Sequence, residues 1–181
     1  MNYGSPGAII DACTLETFAV TGRLDLLKSH YGVRARWTET IRYEVRRGLL
    51  EEPRNQAVLD ATWLGEPLDV DFDPESLRRI EQIRRGLGGT KRESMKHLGE
   101  AEVIYYLETN APDWLFVSDD RTAVDFARNR HLNAIDTRQV LTDCYISGEI
   151  GCPAAFDLLR EMRAAGRGVR VPRNHQLVCP S

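Results

Sequence analysis

Short apolar runs alternate with longer amphipathic stretches along the chain. Residues 113–118 include WLFV, a run without polar alternation, and residues 7–13 carry the apolar triplet AII. Runs of this length are typical of strands that are buried on both faces of a sheet. We therefore predict strands at 7–13, 33–37, 113–118 and 132–135, with a weaker strand at 68–70.

The amphipathic stretches between these runs predict helices. Ile41, Val45 and Leu49 recur at intervals of four residues and define the buried stripe of one of them. Residues 90–96 follow two glycines and are predicted to form a mobile connection. Helices are predicted at 14–20, 24–29, 39–47, 55–64, 75–87, from 99 onwards, and at 121–130, 137–147 and 153–165.

The helix that begins at residue 99 carries an acidic residue on its apolar side. Glu100 points within about 60° of the direction of Ile104 and Leu107 at 3.6 residues per turn. A carboxylate on that side needs a partner, because burying it alone is costly. Glu102 lies nearly opposite and is expected to be solvated.

Strands separated by helices predict an α/β fold in three layers, with helices on both faces of a central parallel sheet of four or five strands. The 181 residues, 42% of them hydrophobic, suffice for one core, so we expect a single domain over residues 1–181. Ligands of such sheets collect at the carboxyl ends of the strands. The loops that follow the strands are therefore the expected location of a functional site.

Acidic residues stand where this topology would bring them together. Asp11 follows the first strand, Asp119 and Asp120 follow the strand at 113–118, and Glu44 and Glu100 lie on helices. Converging carboxylates repel one another unless a cation lies between them. Oxygen ligands select Mg²⁺ or Mn²⁺ over zinc, and hydrolysis of a phosphodiester is the natural reaction of such a site.

Each acid also has an ordinary interpretation when it is taken alone. Asp119 or Asp120 would cap the helix that follows, and Glu44 would pair with Arg46 or Arg47 on a helix surface. The histidines stand in separate polar contexts and are predicted to be mainly surface residues without a catalytic role: His30, His97, His131 and His175.

Charge and cysteine content change the picture little. A net charge of −3 gives no global attraction to nucleic acid, although arginines are dense at 34–47, 78–92 and 160–173. These patches would bind a polyanion or form solvated helix faces.

The four cysteines have no CxxC spacing. There is also no apolar run of membrane-spanning length and no basic N-terminal start. We expect a cytoplasmic protein without disulfides, zinc or membrane contact.

Four segments resemble the PIN-domain ribonuclease family, which includes the VapC-type toxins of bacterial toxin-antitoxin pairs. They are IIDACTLE, TETIRYEV, LGEAEVIYYLE and LFVSDDRTAVDFAR, and their order and spacing match together. A further segment, EIGCPAAFDLLREMRAAGRGVRV, resembles the C-terminal helical extension of one branch of the family. The resemblance implies a PIN-like fold, with a core at about 7–148 and the extension at about 152–172.

The resemblance also implies roles for individual residues. The implied catalytic acids are Asp11, Glu44, Glu100 and Asp120, and the implied metal ligands are Asp11, Glu100, Asp119 and Asp120. In many relatives the fourth acid stands two places after a Thr or Ser, which here is Ser118 and which favours Asp120. The Ser118 hydroxyl is expected to orient metal-bound water. Cys13 departs from the Ser or Asn that is common at its position.

The implied function is a Mg²⁺- or Mn²⁺-dependent endoribonuclease, the toxin of a toxin-antitoxin pair. RNA and an antitoxin protein are the expected partners, and Arg46, Arg47 or Arg121 would position the scissile phosphate. PIN relatives commonly pair, so we also expect a homodimer. Apolar residues beyond the needs of one small sheet support pairing: Trp63, Leu64, Phe72 and Leu77.

Two other functions stay open from the sequence. The first is a PIN-like scaffold that binds RNA or protein without catalysis, which the presence of all four acids disfavours. The second is a haloacid-dehalogenase-like phosphatase, a Mg²⁺-dependent class that also places an aspartate after its first strand. That class requires a second aspartate two residues later, and Cys13 stands there in this chain.

Overall fold

Four short parallel strands form the centre of the fold. The computed structural model describes residues 6–180, so the first five residues and the last residue of the predicted domain lie outside it. The strand order in the sheet is β2-β1-β3-β4, and every neighbouring pair is parallel. The strands are β1 (Ala8–Ile10), β2 (Ala35–Arg36), β3 (Leu115–Val117) and β4 (Asn133–Ile135).

Helices flank this sheet, which gives the three-layer α/β fold that the alternation of elements predicts. They are α1 (Ala12–Val20), α2 (Leu24–Tyr31), α3 (Glu39–Gly48), α4 (Gln56–Leu59), α5 (Pro74–Gly86), α6 (Leu98–Thr109), α7 (Arg121–Arg128), α8 (Thr137–Ile146) and α9 (Ala154–Ala164). Within the described range, no helix is long and apolar enough to cross a membrane.

Polar caps fix where several helices begin. Thr38 accepts a hydrogen bond from the amide of Ile41 at the start of α3, and Asp73 accepts the amides of Glu75 and Ser76 at the start of α5. Such caps satisfy amides that have no partner inside the helix. A cap fixes the residue at which its helix begins. It therefore also fixes which side chains of that helix face the ends of the strands.

Two of the predicted elements are wrong. Residues 68–70 do not form a strand, since Leu68 makes a single bridge with Thr38 beside the sheet. The helix predicted at 55–64 is reduced to the single turn of α4 between two 3-10 turns. In the first segment only Leu68 forms a bridge, with Thr38, and in the second the helix stops after one turn. The local strand or helix propensity of these segments is therefore overridden by their tertiary surroundings.

The core lies between the sheet and the helices that cover it. Ile9, Ile10 and Phe116 of the strands are fully buried, as are Ile41 and Val45 of the predicted helical stripe. This agreement follows from the spacing of apolar positions, which sets the face that a helix buries.

The apolar residues that suggested a homodimer divide into two groups. Leu64 is fully buried in the core and Trp63 packs partly against it, so neither forms a free apolar surface. Phe72 and Leu77 remain 56% and 48% exposed. Of these four residues, only Phe72 and Leu77 therefore leave apolar surface available for pairing.

Segment 90–96, predicted to be a mobile connection, is tied to α5. The guanidinium of Arg84 is buried and donates hydrogen bonds to the carbonyl oxygens of Thr90, Glu93 and Lys96 at 3.0–3.3 Å. Its remaining donors bind the carboxylate of Glu81. One buried side chain therefore determines the path of the segment that leads into α6.

Candidate active site

Asp11 lies at the carboxyl end of β1 and is almost completely buried. Its backbone amide donates to the carbonyl of Val117, which continues the sheet hydrogen bonding between β1 and β3. Its carboxylate accepts hydrogen bonds from the Ser118 hydroxyl at 2.9 Å and the Cys13 thiol at 3.0 Å. Burial and the nearby charge of Glu100 raise the pKa of Asp11 to about 7.

Ser118 joins the two strand ends that carry acids. Its hydroxyl donates to Asp11 and accepts the backbone amide of Asp120 at 3.1 Å. The side chain is fully buried, and these two hydrogen bonds hold Asp11 and Asp120 in a fixed relation. The predicted role of Ser118 in orienting water stays a prediction.

Glu44 reaches the site from α3 and passes close to Gly99, the second residue of α6. A β-carbon on Gly99 would lie 3.1 Å from one carboxylate oxygen of Glu44 and 3.3 Å from the other. A side chain at residue 99 would therefore displace the Glu44 carboxylate. Burial, followed by the charges of Asp11 and Glu100, raises the pKa of Glu44 to about 9.

Glu100 and Asp120 meet around a histidine. The Nδ1 atom of His97 lies 3.4 Å from a Glu100 oxygen and 3.8 Å from an Asp120 oxygen. The other Asp120 oxygen accepts the amide of Ala123 and caps α7, so the capping interpretation is confirmed and the same carboxylate also faces His97. Burial and the charge of Asp120 raise the pKa of Glu100.

The structure therefore brings together all four predicted catalytic acids: Asp11, Glu44, Glu100 and Asp120. The pKa values of Asp11, Glu44 and Glu100 are raised for the same two reasons, which are loss of solvation and repulsion between neighbouring carboxylates. A divalent cation relieves both, and carboxylate oxygens are ligands that Mg²⁺ and Mn²⁺ accept. These side chains fit the requirements of a metal site.

Asp119 has a different environment from the other acids. One of its oxygens accepts the backbone amide of Thr137, and the other accepts the hydroxyls of Thr137 and Thr17. These contacts fasten the end of β3 to the start of α8 and to α1. The predicted role of Asp119 as a metal ligand stays a prediction, and its hydrogen bonds favour an anchoring role.

The prediction that Glu102 is solvated is wrong. Its side chain is 2% exposed and accepts a hydrogen bond from the Thr40 hydroxyl at 2.8 Å. Helix α6 packs against α5 as well as α3, so it buries more than one face. The helical wheel places Glu102 correctly opposite Glu100, but it does not reveal a second buried face.

We expect Glu100→Gln to lower nuclease activity at least about a hundredfold more than Glu102→Gln, because Glu100 lies beside His97 and Asp120 whereas Glu102 is bound to Thr40. Glu102→Gln keeps a hydrogen-bonding group opposite Thr40, so its free energy of unfolding should change by less than about 1 kcal/mol. Single-turnover cleavage rates and urea unfolding of both variants measure these effects. Equal losses of activity would remove Glu100 from the site.

His97 is the site residue that the sequence interpretation missed. It was assigned to the surface with the other histidines, but its side chain is only 15% exposed. The available signal was its place in the sequence, immediately before the predicted helix and three residues before Glu100. The contact with Asp120 had no signal in the sequence, because it depends on how α6 meets β3.

A cleft of about 920 Å³ opens onto Glu44, His97 and Glu100. Basic side chains line it beside these acids: Arg47, Arg92 and Lys96. Of the arginines predicted to contact phosphate, Arg47 is among the lining residues. Arg46 and Arg121 are not, and Arg121 pairs with Asp125 on α7.

Comparison with known proteins identifies the family. A family model described as a PIN domain matches residues 7–176, which is nearly the whole chain. No curated protein and no solved structure gave a significant match. PIN domains are generally nucleases, and the convergence of carboxylates at the ends of β1 and β3 suits that activity. The chain belongs to the PIN-domain family.

Proposed function

We propose that the protein is a Mg²⁺- or Mn²⁺-dependent endoribonuclease. The observation that carries this proposal is the convergence of Asp11, Glu44, Glu100 and Asp120 beside an open cleft, with raised pKa values on the first three. Carboxylates that are held together repel one another, and a bound cation offsets that repulsion. PIN-family membership makes phosphodiester hydrolysis the matching reaction.

Asp11, Glu100 and Asp120 would hold the ion, with Glu44 beside them. A bound divalent ion would supply Lewis-acid activation of water and offset the charge that develops on the phosphate. The chain supplies the positioning, because Ser118 fixes Asp11 relative to Asp120. The capping bond from Ala123 to Asp120 limits the rotation of that carboxylate.

RNA would lie in the cleft. The side chains of Arg47, Arg92 and Lys96 would contact phosphates, and they stand in a lining that also carries Glu16, Glu51 and Glu93. Arginine is suited to bidentate contact with a phosphate, and lysine acts as a point charge. Local patches of this kind allow an acidic protein to bind a polyanion.

Incubation of the purified protein with a panel of end-labelled RNAs tests the proposal. We expect internal cleavage in Mg²⁺ or Mn²⁺ and none in EDTA. If the protein binds RNA but cleaves no member of the panel with either ion, the non-catalytic scaffold is correct and the proposed activity is wrong. If the protein releases phosphate from small phosphomonoesters instead, it is a phosphatase.

We also propose that the nuclease acts in the cytoplasm as the toxin of a toxin-antitoxin pair. The resemblance of the four acidic segments to VapC-type toxins supports this role. Induced expression should arrest growth, Asp11→Asn should not, and co-expression of the neighbouring small open reading frame should restore growth by binding the toxin. Growth that continues despite active enzyme would exclude the toxin role.

A homodimer is the third part of the proposal. Phe72 and Leu77 are exposed apolar residues on adjacent segments, and a twofold pairing would bury them. Light scattering at micromolar concentration should give twice the chain mass of 20.5 kDa. A mass that equals one chain and stays constant on dilution would show a monomer. Phe72→Ser should shift the dimer towards the monomer.

A further inference from the structure

His97 adds a nitrogen donor to a set of oxygen donors. Its Nδ1 atom and the nearest oxygens of Glu100 and Asp120 all lie within 4.8 Å of one another. This separation allows the three atoms to share one ion after small side-chain adjustments. The imidazole is mostly buried at 15% side-chain exposure, so it belongs to the wall of the site.

The backbone holds His97 in a rare conformation at this point. Its φ angle is +60° and its ψ angle is 20°, in the left-handed region, immediately before α6. In the described part of the chain, His131 is the only other non-glycine residue with a positive φ angle. A non-glycine residue rarely adopts this conformation unless its surroundings enforce it.

Arg84 supplies part of that enforcement. Its buried guanidinium donates to the carbonyl oxygen of Lys96, the residue that directly precedes His97, and to the carbonyls of Thr90 and Glu93. The approach of the chain to α6 is therefore held from inside the protein. The position of the His97 ring is therefore set by this anchored segment, and His97 is not a freely rotating surface side chain.

We propose that Nδ1 of His97 is a ligand of the divalent ion and that it makes the site prefer Mn²⁺ to Mg²⁺. This inference rests on the proposed function, because it concerns the ion of the same site. Mg²⁺ favours oxygen ligands and retains its waters. Mn²⁺ binds an imidazole nitrogen more readily than Mg²⁺ does, and it also binds carboxylates. The competing account is that His97 only forms an ion pair with the two acids.

Asparagine at residue 97 separates these accounts. Asparagine tolerates the left-handed region and offers an oxygen, so His97→Asn keeps the backbone and removes the nitrogen ligand. His131→Asn makes the same exchange at an exposed residue with the same backbone conformation, and it is the matched control. His97→Gly also suits a positive φ angle and serves as a second variant if the first does not fold.

Calorimetric titration of each protein with Mn²⁺ and with Mg²⁺ gives the ratio of the two affinities. We expect this ratio to fall by about tenfold or more in His97→Asn and His97→Gly, because a lost ligand should matter at least as much as a lost outer-shell partner. The ratio should be unchanged in His131→Asn. Pulsed electron paramagnetic resonance of bound Mn²⁺ should show modulation from an imidazole nitrogen in the wild type and not in the residue-97 variants.

Two results would overturn the inference, and they differ in what they say about the nuclease. If wild-type protein binds Mn²⁺ without the nitrogen signal and His97→Asn keeps the affinity ratio, His97 is not a ligand, but the metal-dependent nuclease stands. If the wild type binds neither ion and cleaves no RNA, the proposed function fails together with the inference. The spectrum of the wild type decides the ligand question even if both variants are unstable.

Discussion

Replacement of Asp11 by asparagine should lower RNA cleavage by about a thousandfold or more, because a lost ligand costs more than the ten- to hundredfold effect of an outer-shell partner. The free energy of unfolding at pH 7 should hold or rise. Asp11 is 2% exposed and its pKa is raised to about 7 by burial and by Glu100, so the native state gains little from its charge. Asparagine removes that charge and still accepts a hydrogen bond from Ser118.

Asp120→Asn is the companion variant and should show a similar loss of activity. Asparagine caps helices about as well as aspartate, so the bond from the amide of Ala123 should survive. Asp71, an exposed aspartate before α5, provides the matched control, and Asp71→Asn should leave both activity and stability unchanged. Single-turnover cleavage and urea unfolding are the two measurements.

The combination of the two measurements identifies the role of these acids. An inactive Asp11→Asn protein with normal stability supports the metal-dependent nuclease. Full activity in the same variant would show that Asp11 holds no ion needed for cleavage. A loss of several kcal/mol of stability would show that the Asp11 carboxylate acts mainly as an acceptor for Ser118 and Cys13.

The sheet and the acids at its edge were predictable from the sequence for a physical reason. Apolar runs without alternation are typical of the central strands of a parallel sheet, and the residues that follow such strands lie at its carboxyl edge. Asp11 and the pair Asp119 and Asp120 follow from this rule, whereas the choice of Asp120 over Asp119 came from the family resemblance. The helical phase then directs Glu100 inwards, although only the family resemblance singled out Glu44.

The remaining features depend on contacts between elements that are distant in sequence. Glu102 is buried because α6 packs against a second helix, and Leu64 is buried because its short turn folds onto the core. His97 reaches Asp120 because Arg84 holds the segment before α6. A helical wheel treats each helix as having one buried face, so it cannot predict these three outcomes.

The ion-free protein should become less stable as pH rises from 5 to 9. Asp11 and Glu44 have pKa values near 7 and 9 in the folded protein, against ordinary values of 3.8 and 4.5. A group whose pKa is raised by folding stabilises the native state while it is protonated, and this contribution is lost as pH rises through the folded-state pKa. The stability should therefore fall through pH 7 and on towards pH 9, by several kcal/mol at about 1.4 kcal/mol for each unit of pKa difference.

Urea unfolding in EDTA at pH 5, 7 and 9 measures this fall. Saturating Mn²⁺ should reverse it, because an ion that binds only the folded, ionised acids adds stability where those acids are deprotonated. Glu44→Gln and Asp11→Asn should each flatten the profile in EDTA, and Asp71→Asn should leave it as in the wild type. A profile in EDTA that is flat or rises between pH 5 and 9 would contradict the raised pKa values of Asp11 and Glu44, and with them the burial and mutual repulsion of these carboxylates.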